Sequence, residues 1–373
     1  YNNYESWGVF PDANTTYRKV ILTLHYECPN GIACGEWDYI DAVSIKRTGG
    51  MSGTSKDLEI ARYITPYGNT FSQTWFSEFK IDVTDFDMFL HDSVEIEYQH
   101  GGYETNVSKG WSVTVDFACI EGIPAMEPVA ITKLWNGSFP FGNSADPIEN
   151  YLAPISFTSN PATNLSRIRI IQSGHGYDDH ECAEFCSKQR FLYFDDTLKD
   201  TRDVWKKCGD NPIYPQGGTW IYDRANWCPG LPVRPDVYDF PVSGNSTHSV
   251  NIDMQPYVSA NPSANYYIQS QLIEYKTPVF ANDASIEDVY TPSTVFEYSR
   301  MNPICDNPHL VLKNNGNQPL TSTTINYGLE GLPTYQYNWT GNLAMNQTEE
   351  VLLSNVLMPD ASHTSFKAFL SLV

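Results

Sequence analysis

The stretch YRKVILTLHY, Tyr17 to Tyr26, places apolar residues at Val20, Leu22, Leu24 and Tyr26 and polar ones between most of them. Successive side chains of a strand point to opposite faces, so this spacing describes a strand with one face buried. The same pattern returns in SVEIEYQH (Ser93 to His100), WSVTVDFACI (Trp111 to Ile120) and LSRIRIIQS (Leu165 to Ser173). It returns again in RFLYF (Arg190 to Phe194), YYIQSQLIEY (Tyr266 to Tyr275) and HLVLKNN (His309 to Asn315). These runs are rich in β-branched and aromatic residues, which suit a pleated surface. No long amphipathic helix competes; DVTDFDMFL (Asp82 to Leu90) supplies one short turn. With 24 glycines and 24 prolines spread as loops between such runs, the chain is expected to be all-β, built from antiparallel sandwiches or jelly rolls.

A chain of 373 residues is too long for one small domain. Prolines interrupt the strand rhythm in EGIPAMEPVA (Glu121 to Ala130) and in YKTPVFANDASIEDVYTP (Tyr275 to Pro292). The expected division is therefore 1–125, 126–277 and 278–373. The last piece holds HLVLKNNGNQPLTSTTINYGL, two strands around an NNGN turn, and is expected to be a small sandwich-like accessory domain.

Hydrophobic residues make up 41% and charged residues only 18%, as in a folded protein. A formal net charge of −21 argues against nucleic acid and against anionic membrane surfaces, both of which need concentrated Lys and Arg. Neutral ligands remain compatible. No run of about 20 apolar residues exists, so no membrane-spanning helix is expected. The chain begins at Tyr1 without a methionine, and it carries eight cysteines. Both observations lead us to expect a secreted or periplasmic protein.

The cysteines fall into local pairs, and Cys28–Cys34, Cys182–Cys186 and Cys208–Cys228 are the expected disulfides. Cys119 and Cys305 are open to a long bridge or to two free thiols. The alternative use, metal binding, is disfavoured because CxxxC and CxxxxxC lack zinc-knuckle spacing and no histidines recur at ligand spacing. No metal and no cofactor are expected. Sequons at Asn14, Asn106, Asn136, Asn164, Asn245, Asn338 and Asn346 would mark exposed loops in a glycosylating host.

Polar chemistry gathers in three places. CPNGIACGEWDYID (Cys28 to Asp41) sets Glu36, Asp38 and Asp41 behind a cysteine loop. GHGYDDHECAEFC (Gly174 to Cys186) is dense in His, Asp and Glu without an HExxH pattern, and Glu184 lies inside its small cysteine loop. GGTWIYDRANWCPG (Gly217 to Gly230) brings Arg224 and Trp227 together, planar donors beside an apolar ring, a combination suited to a sugar.

CxxxxxCxEWD, ITPY (Ile64 to Tyr67), IDVTDF (Ile81 to Phe86), SGHG, CAEFC and DRANWCPG occur in an order and spacing that resemble the bacterial peptide-N-glycosidase F family. The resemblance covers about residues 17 to 275. It implies two adjacent antiparallel jelly-roll sandwiches with an active site in the cleft between them. The implied activity is an amidase that cleaves asparagine from the innermost N-acetylglucosamine of N-glycans, leaving aspartate, with N-glycosylated proteins or peptides as partners. Motif by motif, the resemblance assigns catalytic roles to Asp38 and Glu184, and to Glu104 of YETNVSKGWSVTVDF. It assigns substrate contacts to Arg224 and Trp227. Tyr39, Phe185 and His175 stand where the family carries arginine, tryptophan and tryptophan, and are expected to tune glycan preference. The rival readings are an N-glycan-binding protein with weak or lost activity, a two-carboxylate glycoside hydrolase, and a copper monooxygenase, for which the eight histidines show no HxH pair.

Overall fold

The computed structural model describes residues 2–47, 56–102, 108–180, 182, 184–261, 263–300, 307–354, 356 and 365–371. The chain is all-β and forms two compact units, Tyr1–Gly122 with Pro128–Lys276, and Ile123–Glu127 with Thr277–Val373. The first unit contains two antiparallel sandwiches. Residues Tyr17–Glu27 form the centre of a sheet between Phe76–Asp82 and Ser112–Glu121. Val20, Leu22, Leu24 and Tyr26 are buried as the alternation requires. The facing sheet runs in the order Asn2–Val9, Ser93–His100, Ile40–Arg47, Lys56–Ile64, and the stacked rings of Tyr26 and Tyr63 join the two.

In the second sandwich, Pro128–Pro140, Asn265–Tyr275, Leu165–His175 and Asp236–Pro241 form one sheet. Ile155–Thr158, Thr247–Met254, Gln189–Phe194 and Thr197–Asp203 form the other. Trp135, Ile168, Ile170, Leu192, Val250 and Ile252 meet between them. The second unit is a smaller sandwich of two three-stranded sheets around Leu312, Ile325, Tyr327, Trp339 and Val351. Its NNGN turn does not close a hairpin: His309–Asn314 and Leu320–Leu329 pair with different neighbours and lie in different sheets. Asp82 to Leu90 contains the short 3₁₀ turn Thr84–Phe89. Among the described residues, no helix is long and apolar enough to cross a membrane.

Both proline-marked stretches contain strand. Pro128–Pro140 begins inside the first, and Ile123–Glu127 groups with the C-terminal unit. Ala284–Thr291 lies inside the second, where register shifts between Ile286/Asp288 and Val289/Thr291 break the alternation that would have revealed it.

Residues Leu165–His175 depart from simple half-burial, since all but the last are buried. Ile168 and Ile170 face their own core, while Arg167 and Arg169 face the first sandwich. Arg167 donates to both Asp239 oxygens at 2.7 and 2.8 Å and to Asp85 at 2.9 Å, and the Tyr275 hydroxyl donates to Asp85 at 2.5 Å. Arg169 donates to the Ile60 carbonyl at 2.8 Å and lies over Phe86. Asp85 and Phe86 of the IDVTDF motif therefore belong to the seam joining the sandwiches. The edge strand Lys56–Ile64 is closed by backbone from the second sandwich: Val233 N donates to Arg62 O, Ile64 N to Leu231 O, and Gly230 N to Ile64 O.

Candidate active site

The three carboxylates of CPNGIACGEWDYID, Cys28 to Asp41, separate cleanly. Glu36 accepts from Lys109. Asp41 is 1% exposed and closed in by Tyr26, Tyr98 and His100, so no ligand reaches it. Asp38 turns to the seam, where its side chain keeps 18% exposure. The loop that carries it is not a strand, so the alternation of Glu36 and Asp38 has no role here.

The ITPY motif holds that loop. Thr65 Oγ1 donates to Trp37 O at 2.6 Å and accepts from Tyr39 N at 2.8 Å, gripping the backbone on both sides of Asp38. Tyr67 Oη donates to Asp38 Oδ2 at 2.7 Å. Gly68 N donates to Gly35 O, and both glycines are obligatory: a Cβ on Gly35 would sit 2.1 Å from the Trp111 indole nitrogen, and one on Gly68 2.5 Å from its ring. The Cys28–Cys34 disulfide closes the loop from behind.

DRANWCPG performs the matching task from the second sandwich. Asp223 accepts from Cys208 N at 2.9 Å beside the Cys208–Cys228 disulfide. Ala225 N donates to Glu184 O, and Gly174 N to Ala225 O, so one turn registers CAEFC and SGHG against Arg224. Trp227 Nε1 donates to Gly174 O at 2.7 Å. The Cys182–Cys186 disulfide frames Glu184. Asp178 is buried and accepts from His180 N and Cys182 N, and Asp179 accepts from Ser259. The acidic run is thus loop architecture. Among the described residues no group of three His, Cys, Asp or Glu side chains is placed to hold a metal.

The two halves meet at Arg224. Its Nη1 pairs with Glu184, its Nη2 lies 4.0 Å from Asp38 Oδ2 and donates to Tyr67 Oη at 3.3 Å, and Nη2 also donates to Thr219 Oγ1 at 2.9 Å. The guanidinium is stacked between rings, 4.7 Å from the centre of Phe185 and 4.6 Å from that of Trp227. Arg224 is 0% exposed and Trp227 1%, whereas the Asp38 and Glu184 side chains are each 18% exposed. Solvent and ligand therefore meet the carboxylates, with the cation behind them.

Burial raises the Asp38 carboxyl above its ordinary value, opposed by the Tyr67 hydrogen bond and the Arg224 charge. Burial, with the Asp38 charge adding, pushes the Tyr67 phenol up to about 12, so it stays a donor at neutral pH. His175 stacks on Trp227 at 4.8 Å and bonds Ser173 Oγ through Nε2. Burial, with the nearby cations of Arg62 and Arg224, holds its pKa well below the usual histidine value. Tyr39 stands edge-on to His100. Phe185 meets Tyr222 edge-on, and Tyr222 and Trp37 are the exposed rings near the carboxylates.

Asp38, Glu184, Arg224, Trp227, His175 and Phe185 thus come together, while Tyr39 stands one residue beyond Asp38. Glu104 lies outside the described residues. Sequence reasoning missed Tyr67 and Thr219 as site residues. ITPY carried the signal for the first; nothing local distinguishes Thr219. Three disulfides form as expected. Cys119 has no disulfide partner among the described residues, and Cys305 lies outside them.

The sequence profile described as "Peptide-N-glycosidase F, C terminal" matches residues 145–273. The peptide-N(4)-(N-acetyl-beta-D-glucosaminyl)asparagine amidase F of Elizabethkingia miricola is 30% identical over 300 residues, spanning 74% of this chain and 80% of that protein. A crystal structure of peptide-N(4)-(N-acetyl-beta-D-glucosaminyl)asparagine amidase matches with a TM-score of 0.63 at 27% identity, over 74% of this chain and 90% of that one. PNGase F from Flavobacterium meningosepticum, described as a glycosylasparaginase, matches with a TM-score of 0.62 at 28% identity, over 74% and 89%. The paired sandwiches, the motif order and these similarities together place the chain in the peptide-N-glycosidase F family.

Proposed function

We propose that the chain hydrolyses the amide bond between asparagine and the innermost N-acetylglucosamine of N-linked glycans. Water adds to the amide carbonyl carbon, and the carbon–nitrogen bond breaks. The asparagine becomes aspartate, and the sugar leaves as a glycosylamine that later loses ammonia. An amide is a poor electrophile, so the reaction needs an activated water, a stabilised oxyanion and a proton for the leaving nitrogen. In this reading Asp38 acts at the scissile linkage and Glu184 orients or activates the water. Glu104 supports the substrate or the proton balance. Arg224 works through the two carboxylates it holds, and Trp227, Phe185, His175 and Tyr39 shape the sugar pocket.

The observation that carries the reading is that Asp38 from one sandwich and Glu184 from the other converge on one buried guanidinium. Burial raises the Asp38 carboxyl above its ordinary value against the pull of the Tyr67 hydrogen bond and the Arg224 charge, which suits a group that exchanges a proton during the reaction. The substrates are glycoproteins or glycopeptides, and the disulfides suit an extracellular or periplasmic setting.

A defined glycopeptide followed by mass spectrometry tests this. Glycan release with conversion of asparagine to aspartate is the expected result. A bound but unchanged glycopeptide would identify an N-glycan-binding protein instead, and a sugar left on unconverted asparagine would identify a glycoside hydrolase.

A further inference from the structure

The rings around Arg224 divide by exposure. Trp227 is 1% exposed and supports the guanidinium from behind, so its indole offers a ligand almost no surface. Phe185, half-buried on the other side of the cation, keeps some. Tyr222 is 57% exposed, and its ring meets that of Phe185 edge-on, 6.3 Å between centres with the planes at 79°. An edge-on contact cannot cover the faces of both rings, so the pair presents a stacking surface beside Glu184, the residue before Phe185.

A single exposed ring is ordinary on a protein surface. This one differs because its backbone is fixed on both sides. Tyr222 N donates to Thr219 O at 3.1 Å, and Arg224 Nη2 donates to the same carbonyl at 3.0 Å and to Thr219 Oγ1 at 2.9 Å. Asp223 accepts from Cys208 N at 2.9 Å, while Arg224 and Lys206 exchange both of their backbone hydrogen bonds. Trp220, two residues before the ring, turns inward and is buried edge-on to Tyr214. The turn is thus registered by the guanidinium that pairs with Glu184 and faces Asp38, and the Tyr222 ring it projects moves only about its own side-chain torsions. A contact surface preorganised in this way loses little entropy when a ligand covers it.

The surface suits a neutral pyranose. A sugar ring offers a face of C–H groups to an aromatic ring, and its rim of hydroxyls meets a phenol that both donates and accepts. The cation beside the pair is already engaged with Glu184 and Thr219. We propose that Tyr222 is a further substrate-contacting residue, which together with Phe185 forms the platform on which an N-acetylglucosamine ring of the N-glycan stacks. The identity of that ligand rests on the amidase reading. Tyr222 thereby supplies ring area that a phenylalanine at position 185 gives up relative to the tryptophan the resemblance sets there.

The test has two arms, both in the full chain. In the first, the free disaccharide of the two innermost N-acetylglucosamines is titrated calorimetrically into Asp38→Asn with and without Tyr222→Ala. In the second, kcat and KM on a defined glycopeptide are measured for Tyr222→Ala, Tyr222→Phe and the double variant Tyr222→Ala/Phe185→Trp. Tyr222→Ala should weaken disaccharide binding and raise KM, each about three- to tenfold for one lost ring contact, with kcat within about twofold of wild type. Tyr222→Phe should keep most of the affinity, because the ring carries it, and Phe185→Trp should recover most of what Tyr222→Ala loses. Should Tyr222→Ala disturb the turn and lower the melting temperature, Tyr222→Trp decides instead, since a larger ring should tighten the disaccharide. Unaltered KM and unaltered titration overturn the proposal, as does a loss confined to kcat. A raised KM with undiminished disaccharide binding would assign the ring to the peptide and overturn it too. If wild type cleaves no glycopeptide the amidase reading fails by itself, and the titration still decides the platform, with absence of disaccharide binding to Asp38→Asn counting against it.

Discussion

The interiors of the two units are built differently. The first unit buries Asp41, Glu59, Arg62, Arg167, Arg169, Arg190 and Arg224. The second, among its described residues, buries no charged side chain at all; its buried polar groups are Thr291, Asn314, Asn315, Thr323 and Asn326. Removing a charge from water costs several kcal/mol per ion, so an aliphatic interior is the cheaper way to hold a sandwich together. Most of the buried charge in the first unit lies where its two sandwiches meet. There it does what apolar packing cannot, which is to fix direction: a guanidinium has a plane and five donors, and each partner carboxylate is aimed by it.

The contrast can be broken at several points. Asp38→Asn should lower kcat on a glycopeptide by about 10²–10⁴-fold while leaving the fold intact, as expected for loss of a group that moves a proton; retained activity would overturn the central assignment. Arg167→Met, which strands Asp85 and Asp239 without their cation, should cost about 3–5 kcal/mol in urea unfolding. Leu312→Ala in the second unit should cost about 2–5 kcal/mol by cavity formation, with the same loss at mildly acidic and neutral pH because no charged side chain is buried among the described residues of that unit. Tyr67→Phe should reduce kcat/KM by about 10–100-fold through one lost charge-assisted hydrogen bond. It should also move the acid limb of the pH profile upward, since that bond holds the Asp38 pKa down.

The smallest effect is on stability. Because burial raises the Asp38 pKa in the folded state, the native chain binds the extra proton between the unfolded value, about 3.9, and its raised folded value. Wild-type stability gains from Asp38 below that window and loses the gain as pH rises through it. The melting curves of wild type and Asp38→Asn should therefore converge in acid and separate toward neutrality, with the variant the more stable. Constant separation at all pH values would show that burial does not govern this carboxylate.

Strands such as Tyr17–Glu27 were legible because one of their faces meets a core and the other meets water. Leu165–His175 was legible as a strand but not in its burial, because a second sandwich covers the face that alternation assigns to solvent. Ala284–Thr291 was hidden by its bulges. At the site, EWD, CAEFC and DRANWCPG marked Asp38, Glu184 and Arg224, whose disulfide-bounded loops leave a local trace. Tyr67 and Thr219 act across long sequence separations, and a hydrogen bond between residues 29 positions apart has no periodicity to betray it.

The backbone bonds from Gly230, Leu231 and Val233 to the edge strand Lys56–Ile64 also constrain how the protein can be made. During synthesis that edge emerges long before its partner does, and until then it offers unpaired donors and acceptors to any other nascent chain. A fragment ending near Gly122 would keep this exposure permanently. The first sandwich is therefore a poor candidate for separate expression, and grafting its catalytic loop elsewhere would mean bringing the Gly230–Val233 segment with it.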